Sequence, residues 1–133
     1  MKQIINCDQA PAAMGPYNHA VAIEGMVFTS GLVGVDSATG KFAEGVEAQA
    51  TQAFINVKNV LATCGCTLAD VVKATLFVTD LADFAKVNAI YRTFFGPDFP
   101  ARSCVQVAAL PGGALVECEC IAVKSTGKTC CCD

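Results

Sequence analysis

Two segments of the chain place apolar residues on one face of a helix. Within residues 45–66, and again within residues 81–96, apolar positions recur three or four residues apart, as in an amphipathic helix packed on a core. Gly65 gives the first helix a C-terminal cap, Asp80 caps the start of the second, and Gly96–Pro97 ends it. The stripes predicted to be buried are Ala50, Ala53, Phe54, Val57, Val60, Leu61 and Cys64 in the first helix and Phe84, Val87, Tyr91, Phe94 and Phe95 in the second.

Other segments have the composition of strands. Residues 26–36 are apolar and β-branched and run into a turn-rich cluster, which predicts strands there. Residues 103–110 and 114–124 read as two further strands, joined by a turn at residues 111–113. Residues 70–80 alternate as in a central strand, whose predicted apolar positions are Val72, Ala74, Leu76 and Val78.

The resulting order is strand, strand, helix, strand, helix, strand, strand. It predicts an α+β fold in which one mixed sheet carries both helices on one face. The opposite face of the sheet is also largely apolar, which favours self-association. We expect one domain over residues 1–124 and a flexible Cys-rich tail over residues 125–133.

Composition narrows the functional class. The chain is 53% hydrophobic and only 16% charged, which again favours a homo-oligomer. Its net charge of −3 and the lack of a basic run argue against nucleic acid as the main partner. No signal peptide or membrane-spanning run is apparent, so a cytoplasmic protein without a membrane partner is expected, and an organellar location stays open.

The nine cysteines do not predict a disulfide scaffold or a metal site. Six lie in the body of the chain, where free buried thiols are expected, and three end it at residues 130–132. There is no C-x-x-C pair, and His19 is the one histidine. Because nucleotide, flavin and metalloprotease motifs are also missing, we expect a site with neither metal nor cofactor.

The candidate chemistry lies at the two C-terminal strands. Arg102 is one of two arginines in the chain, and its planar fork matches a carboxylate or a phosphate, although a surface arginine in a loop is the alternative. Glu117 and Glu119 are two residues apart in a strand and share a face. That face continues into apolar residues, where a carboxyl pKa rises and the group can act as an acid or base; a solvated strand face is the alternative.

Three further side chains are weaker candidates. Cys104 follows Arg102 by two residues, but a nucleophilic thiol needs an activating base, so a packing thiol is favoured. Tyr17 and His19 lie in a segment rich in backbone-shaping residues. Tyr17 has a ring and a hydroxyl to offer a pocket, and a loop tyrosine is the alternative.

Residues 100–123, PARSCVQVAALPGGALVECECIAV, closely resemble the C-terminal signature of the RidA/YjgF family of reactive intermediate deaminases. The segments GPY, VFTSGLVGVD and DVVKATLFVTDLADFAKVNAIYRTFFG agree with the same family. The resemblance covers residues 4–124. It implies a chorismate-mutase-like α+β fold (Bacillus type) and a homotrimer whose sheets form a central barrel, with sites in clefts between subunits.

The resemblance also implies an activity: cofactor-free hydrolysis of 2-imino acids and their enamine tautomers to 2-oxo acids and ammonia. In that family Arg102 matches the arginine that binds the substrate carboxylate. Glu117 matches the glutamate that positions water and handles its proton, and Tyr17 matches a tyrosine contributed across the interface. With these roles, residues 100–123 are interpreted as two adjacent strands that bring Arg102 and Glu117 to the same cleft. The remaining pocket positions, one of them a cysteine that lines the site through its backbone, are matched by Ser30, Gly31, Asn88 and Cys104.

Departures from the family pattern concern the substrate side chain. Asn18, His19 and Leu32 replace residues common in the family, and the tail has no family counterpart. Two other functions stay open on the sequence. One is cleavage of single-stranded RNA with inhibition of translation, which the −3 charge counts against. The other is a non-enzymatic binder of small carboxylates or a chaperone.

Overall fold

Both predicted helices form. The computed structural model describes residues 1–124, and the predicted tail at residues 125–133 lies outside them. Helix α1 spans Gly45–Thr63 and helix α2 spans Phe84–Phe95. Every residue of the predicted α1 stripe is fully buried, as expected for the side of a helix that packs on a sheet. Neither helix is long and apolar enough to cross a lipid bilayer.

The ends of the helices follow the predicted capping residues in part. Gly65, just beyond α1, has a φ of +74°, which only glycine adopts readily, so it does terminate that helix. The Asp80 carboxylate accepts a hydrogen bond from the Ala82 N–H at 2.9 Å, but it caps a short 3-10 turn that leads into α2. Helix α2 itself begins at Phe84 and ends before Gly96.

Within residues 1–124, seven strands form one mixed sheet, and two of them, at the N-terminal side, were not predicted. The sheet order is β1-β2-β3-β7-β5-β6, with β4 paired to β7. Strands β5 and β6 are parallel and the other pairs are antiparallel. The strands are β1 (Gln3–Ile5), β2 (Ala20–Ile23), β3 (Met26–Thr29), β4 (Leu32–Val33), β5 (Val71–Val78), β6 (Ala101–Gln106) and β7 (Val116–Val123).

Strand β5 lies inside the sheet as predicted, but its alternation begins differently. A bulge between Val71 and Lys73 shifts the register against β7. Val72, predicted to be buried, is therefore 48% exposed, and Val71 takes the inward position instead. Beyond the bulge, Ala74, Leu76 and Val78 are buried as expected.

The helices cover one face of the sheet. That face contributes the inward residues of β7 and β5, which are buried against α1 and α2. The α+β prediction of one mixed sheet with both helices on one face is confirmed. The opposite face, here called the open face, carries the alternate residues of the same strands. Its apolar members include Ile4, Val21, Ile23, Met26, Phe28, Phe77, Val105, Ile121 and Val123.

Two buried amide side chains of α1, Asn56 and Gln49, form hydrogen bonds with backbone groups near β4 and β7. Asn56 is fully buried, and its Nδ2 donates to the carbonyl oxygens of Val33 and Val35, both at 2.9 Å. Gln49 Oε1 accepts the Leu115 N–H at 2.9 Å, just before β7 begins. These bonds satisfy backbone groups outside the ladder and hold β4 and the start of β7 against α1.

Candidate active site

One cavity surrounds Glu117 and has a volume of about 650 Å³. We call it the Glu117 cavity. Tyr17, Ser30 and Gly31 all line it, so three residues implied by the family signature meet the glutamate there. Most of the remaining lining is apolar and comes from Pro11, Ala12, Met14, Leu32, Val33, Val35, Phe42 and Pro111.

The Glu117 carboxyl group lies against the backbone of Gly31. A Cβ built on Gly31 would lie 2.6 Å from the Glu117 Cδ and under 3 Å from both carboxyl oxygens. Burial raises the pKa of Glu117 above its usual value, and the nearby Glu119 carboxylate raises it further. A carboxyl group with a raised pKa exchanges its proton more readily near neutral pH, as an acid–base catalyst must.

The loop before β2 forms one wall of the Glu117 cavity. The Tyr17 hydroxyl accepts the Met14 N–H at 3.3 Å, and the Tyr17 ring is about half exposed. The Ser30 hydroxyl donates to the Asn18 carbonyl at 2.6 Å, so its oxygen keeps lone pairs for a ligand. A tyrosine this exposed within a single chain is free to contact a molecule or a second chain at the cavity.

His19 fastens the same loop and has no nitrogen left for catalysis. Its Nδ1 accepts the Cys7 N–H at 2.9 Å, which leaves Nε2 as the protonated nitrogen that donates to the Pro11 carbonyl. The side chain is buried. His19 is therefore a structural part of the cavity wall.

A second cavity, of about 280 Å³, contains Arg102 and Asn88, together with Tyr91, Arg92, Phe99 and Pro100. We call it the Arg102 cavity. The Arg102 Cζ lies 4.7 Å from the centroid of the Tyr91 ring and 5.5 Å from that of Phe84. Within residues 1–124, the guanidinium forms neither a hydrogen bond nor an ion pair with another side chain. Its donors are thus available to an anion.

Two buried polar atoms beside Arg102 lack partners among the described residues. They are Asn88 Oδ1 and the Tyr91 hydroxyl, one turn apart on α2. Burial raises the pKa of Tyr91 to about 12 despite the opposing charge of Arg102, so this phenol stays neutral. Unsatisfied buried polar groups are uncommon, and here they cluster at one cavity.

Cys104 lies near Arg102 on the same side of β6. Burial raises the pKa of its thiol, and the positive charge of Arg102 offsets only part of that rise. The thiol is therefore less ionised than a free cysteine, which agrees with a packing or lining role over a nucleophilic one. Cys7, Cys118 and Cys120 are buried free thiols, and Cys64 and Cys66 are buried as well.

Within one chain, Arg102 and Glu117 do not share a cleft, and the prediction that their strands are neighbours was wrong. Strand β5 separates β6 from β7. Arg102 pairs with the buried Ala74 on the helix-covered face, whereas Glu117 pairs with Phe77 on the open face. Glu117 and Glu119 do share a face, as predicted.

The contacts of Arg102 with the rings of Tyr91 and Phe84 were not predicted from the sequence. Tyr91 and Phe84 were assigned to the buried stripe of α2 alone. Tyr91 is buried, but Phe84 is 37% exposed because it starts the helix beside Arg102. The spacing of seven residues on one helix face was a usable signal, since it places both rings along the same strip of surface.

Comparison with known proteins places the chain in a family. Residues 7–124 match the family model described as Endoribonuclease L-PSP. A RutC family protein of Haemophilus influenzae is 51% identical over 128 residues, covering 93% of this chain and 98% of the relative. A 2-iminobutanoate/2-iminopropanoate deaminase of Salmonella typhimurium is 50% identical over 127 residues, covering 93% of this chain and 99% of the relative.

A solved structure agrees with the fold. The crystal structure of Escherichia coli TdcF with bound serine superposes with a TM-score of 0.89 at 44% sequence identity, covering 92% of this chain and 99% of that one. The likeness thus extends over nearly the whole of both chains. This chain belongs to the endoribonuclease L-PSP family, the RidA/YjgF family that its motifs resemble.

Proposed function

We propose that this protein is a 2-iminobutanoate/2-iminopropanoate deaminase, which hydrolyses reactive 2-imino acids and their enamine tautomers to 2-oxo acids and ammonia. Curated relatives at 50% and 44% identity have that name. The observation that carries the proposal is Arg102, a cation at a cavity with its donors unused by the described part of the chain. An arginine in this state suits a carboxylate ligand.

The substrate carboxylate is the proposed ligand of Arg102. A 2-imino acid has its carboxylate next to the C=N carbon, so two hydrogen bonds from one guanidinium fix the position of the reacting carbon. The related TdcF structure contains serine, which also has a nitrogen-bearing carbon next to a carboxylate. That ligand supports a carboxylate site in the family.

Glu117 is the proposed acid–base catalyst. As a carboxylate it accepts a proton from water while the water oxygen bonds to the imine carbon, which gives a tetrahedral carbinolamine. For a protonated imine this carbinolamine is neutral. The protonated Glu117 then gives its proton to the nitrogen, the C–N bond breaks, and ammonia leaves while the hydroxyl proton passes to the Glu117 carboxylate as the carbonyl forms. Transfer of that proton from Glu117 to the departing ammonia gives ammonium and restores the carboxylate. Its raised pKa suits a group that must both take up and return a proton.

Asn88 is the proposed partner of the substrate nitrogen. Its Oδ1 is buried at the Arg102 cavity without a hydrogen-bond donor among residues 1–124. An iminium or amine N–H is a donor of the right kind for this acceptor. The pairing would satisfy the buried oxygen only when substrate is bound.

The complete site is proposed to form between chains of a homotrimer. Arg102 and Glu117 lie on opposite faces of one sheet, so a single substrate cannot touch both within one chain. The open face is rich in apolar side chains, a composition that supports burial against copies of the chain. Docking the Glu117 cavity of one chain beside the Arg102 cavity of another would bring together cation, carboxyl group and Tyr17.

The test couples the protein to an enzyme that releases imino acids. A serine or threonine dehydratase is run with semicarbazide, which traps the imine, and formation of the free 2-oxo acid is followed with and without this protein. The protein should restore 2-oxo acid formation, and Arg102→Ala should lose the effect because the substrate carboxylate loses its charge partner. No acceleration, or full activity in the Arg102→Ala variant, would contradict the proposal.

A second candidate function is cleavage of single-stranded RNA. The description of the family model, Endoribonuclease L-PSP, favours it. The net charge of −3 weakens it, since RNA binding rests on clustered cations. RNA cleavage that copurifies with the assembled protein and survives both Arg102→Ala and Glu117→Ala would support this second function as an activity separate from the deaminase site.

A further inference from the structure

The orientation of Arg102 is set by aromatic rings. We propose that Tyr91 and Phe84 form an aromatic bracket that positions the Arg102 guanidinium, with the faces of the ion held and its N–H edge left open for a carboxylate. Tyr91 and Phe84 are thus positioning residues. The inference rests on the proposed function, in which Arg102 binds the substrate carboxylate.

The contact distances support the bracket. Both ring centroids lie within 6 Å of the Arg102 Cζ, at 4.7 Å for Tyr91 and 5.5 Å for Phe84, which is the range of an attractive cation–π contact. A guanidinium that stacks on an aromatic ring does so through its face. Hydrogen bonds to a carboxylate use the N–H groups in its plane, so the two kinds of contact do not compete.

The Tyr91 ring is itself held in place by neighbouring rings. It stacks on Phe95 at 4.3 Å between centroids and on Phe99 at 6.3 Å, with interplanar angles of 16° and 17°. The fully buried Phe54 ring makes a T-shaped contact with the Tyr91 ring, with 5.7 Å between centroids and an interplanar angle of 76°. Because the Tyr91 ring is packed on several sides, it has little freedom to move, and the Arg102 side chain in contact with it is restricted as well.

The Tyr91 hydroxyl makes no hydrogen bond within residues 1–124. It is buried without a partner among the described residues, and the phenol stays neutral. The hydroxyl therefore anchors nothing within residues 1–124, and the part of Tyr91 that Arg102 contacts is the ring. A phenylalanine at position 91 should position the Arg102 guanidinium equally well. Comparing Tyr91→Phe with Tyr91→Leu therefore distinguishes the effect of the ring from that of the hydroxyl.

Preorganisation is the functional consequence. A free arginine side chain loses rotamer freedom when it binds a ligand, and that loss weakens binding. With the guanidinium already held by the rings, less freedom is lost on binding. We therefore expect the bracket to act mainly on substrate affinity.

The direct test is NMR of the arginine side chains in the full chain. The sequence has only two arginines, Arg92 and Arg102, so the arginine Nε–Hε region contains two signals. The signal that disappears in Arg92→Lys belongs to Arg92, and the remaining one belongs to Arg102. Ring currents should shift the Arg102 signal upfield of the Arg92 signal. The shift should persist in Tyr91→Phe and be lost in Tyr91→Leu.

The second test is binding of 2-oxobutanoate by calorimetry, together with deaminase kinetics. Tyr91→Leu should weaken binding about tenfold and Phe84→Leu about threefold, with matching increases in KM and less change in kcat. Tyr91→Phe should stay within about twofold of wild type. Phe94→Leu is the matched control, because Phe94 packs on Phe54 in the same cluster without lying over Arg102.

The outcomes separate the bracket from the proposed function. A shifted Arg102 signal in a protein without deaminase activity would keep the bracket and remove the function. An unshifted signal in an active enzyme would remove the bracket and keep the function. Equal losses in Tyr91→Leu and Phe94→Leu, or a loss in Tyr91→Phe as large as in Tyr91→Leu, would overturn the bracket and leave a general packing role.

Discussion

Gly31 and Glu117 are in close contact: the Glu117 carboxyl group lies against the space that a Cβ on Gly31 would occupy. A Cβ on Gly31 would come within 2.6 to 2.9 Å of three carboxyl atoms. Gly31 is not in the left-handed region of backbone space, so the steric contact with Glu117 explains the need for glycine. The backbone at residue 31 therefore sets the position of the carboxyl group.

Gly31→Ala should displace Glu117 and reduce kcat/KM by about 100-fold, since a shift of about 1 Å in a catalytic group has that effect. Stability should change little, because the displaced atoms are the free end of a flexible side chain. Deaminase kinetics and thermal unfolding measure the two effects separately.

Gly25→Ala is the matched control, with the opposite pattern expected. Gly25 has a φ of +80° and open space around it, so alanine there is strained by about 1–2 kcal/mol without touching Glu117. The melting temperature should fall while kcat/KM is kept. Loss of activity in both variants alike would show that Gly31 acts through stability and not through Glu117.

Glu119→Gln should shift the pH dependence of the reaction. The Glu119 charge helps to raise the pKa of Glu117, so removing it lowers that pKa. Catalysis needs the Glu117 carboxylate, and activity falls as pH drops through its pKa. The acidic limb of the kcat/KM profile should therefore move to lower pH, and an unmoved limb would mean that another group limits the rate there.

His19→Leu should loosen the wall that carries Tyr17. It leaves the Cys7 N–H and the Pro11 carbonyl without their partner, at a cost of about 1–3 kcal/mol for each buried group. His19→Gln should retain most stability and activity, because an amide also has one acceptor and a donor. Thermal unfolding and proteolysis of residues 7–17 give the comparison, and equal damage in both variants would argue against the hydrogen-bonding role.

Mixing two inactive variants should restore activity if the site forms between chains. Arg102→Ala keeps Glu117, and Glu117→Ala keeps Arg102. Random reassembly of equal amounts gives about a quarter of the sites one intact residue from each chain. Co-refolding followed by the coupled dehydratase assay measures the recovery, with each variant refolded alone as control. A mixture as inactive as its components would contradict a site that combines Arg102 of one chain with Glu117 of another.

Helix α1, which has a long and regular pattern, was predicted in full. Two short strands and one interrupted strand pattern were not. Helix α1 was recovered with its whole stripe because nineteen residues repeat one period. Strands β1 and β2 have only three and four residues, too few for a periodic signal. The bulge at Val71–Lys73 reverses the alternation at the start of β5, and nothing in the residue types marks it.

The residues of the candidate site were predicted from the sequence, but their arrangement in space was not. The motif identified Arg102, Glu117, Tyr17 and Asn88, and each of them lines a cavity. The relation between the cavities depends on strand order. Strands β6 and β7 follow each other in the chain, and successive strands usually pair, but the parallel crossover through α2 brings β6 to the other side of β5.

The open face of the sheet has a consequence for the life of the chain in the cell. Ile23, Met26, Phe28 and Val105 are each more than a third exposed there, so an isolated chain presents an apolar sheet surface to water. Chaperones and proteases recognise surfaces of this kind. A newly synthesised chain is therefore vulnerable for as long as that face stays uncovered. If the proposed homotrimer covers it, the lifetime of the chain should be shortest at low chain concentration, where fewer chains assemble.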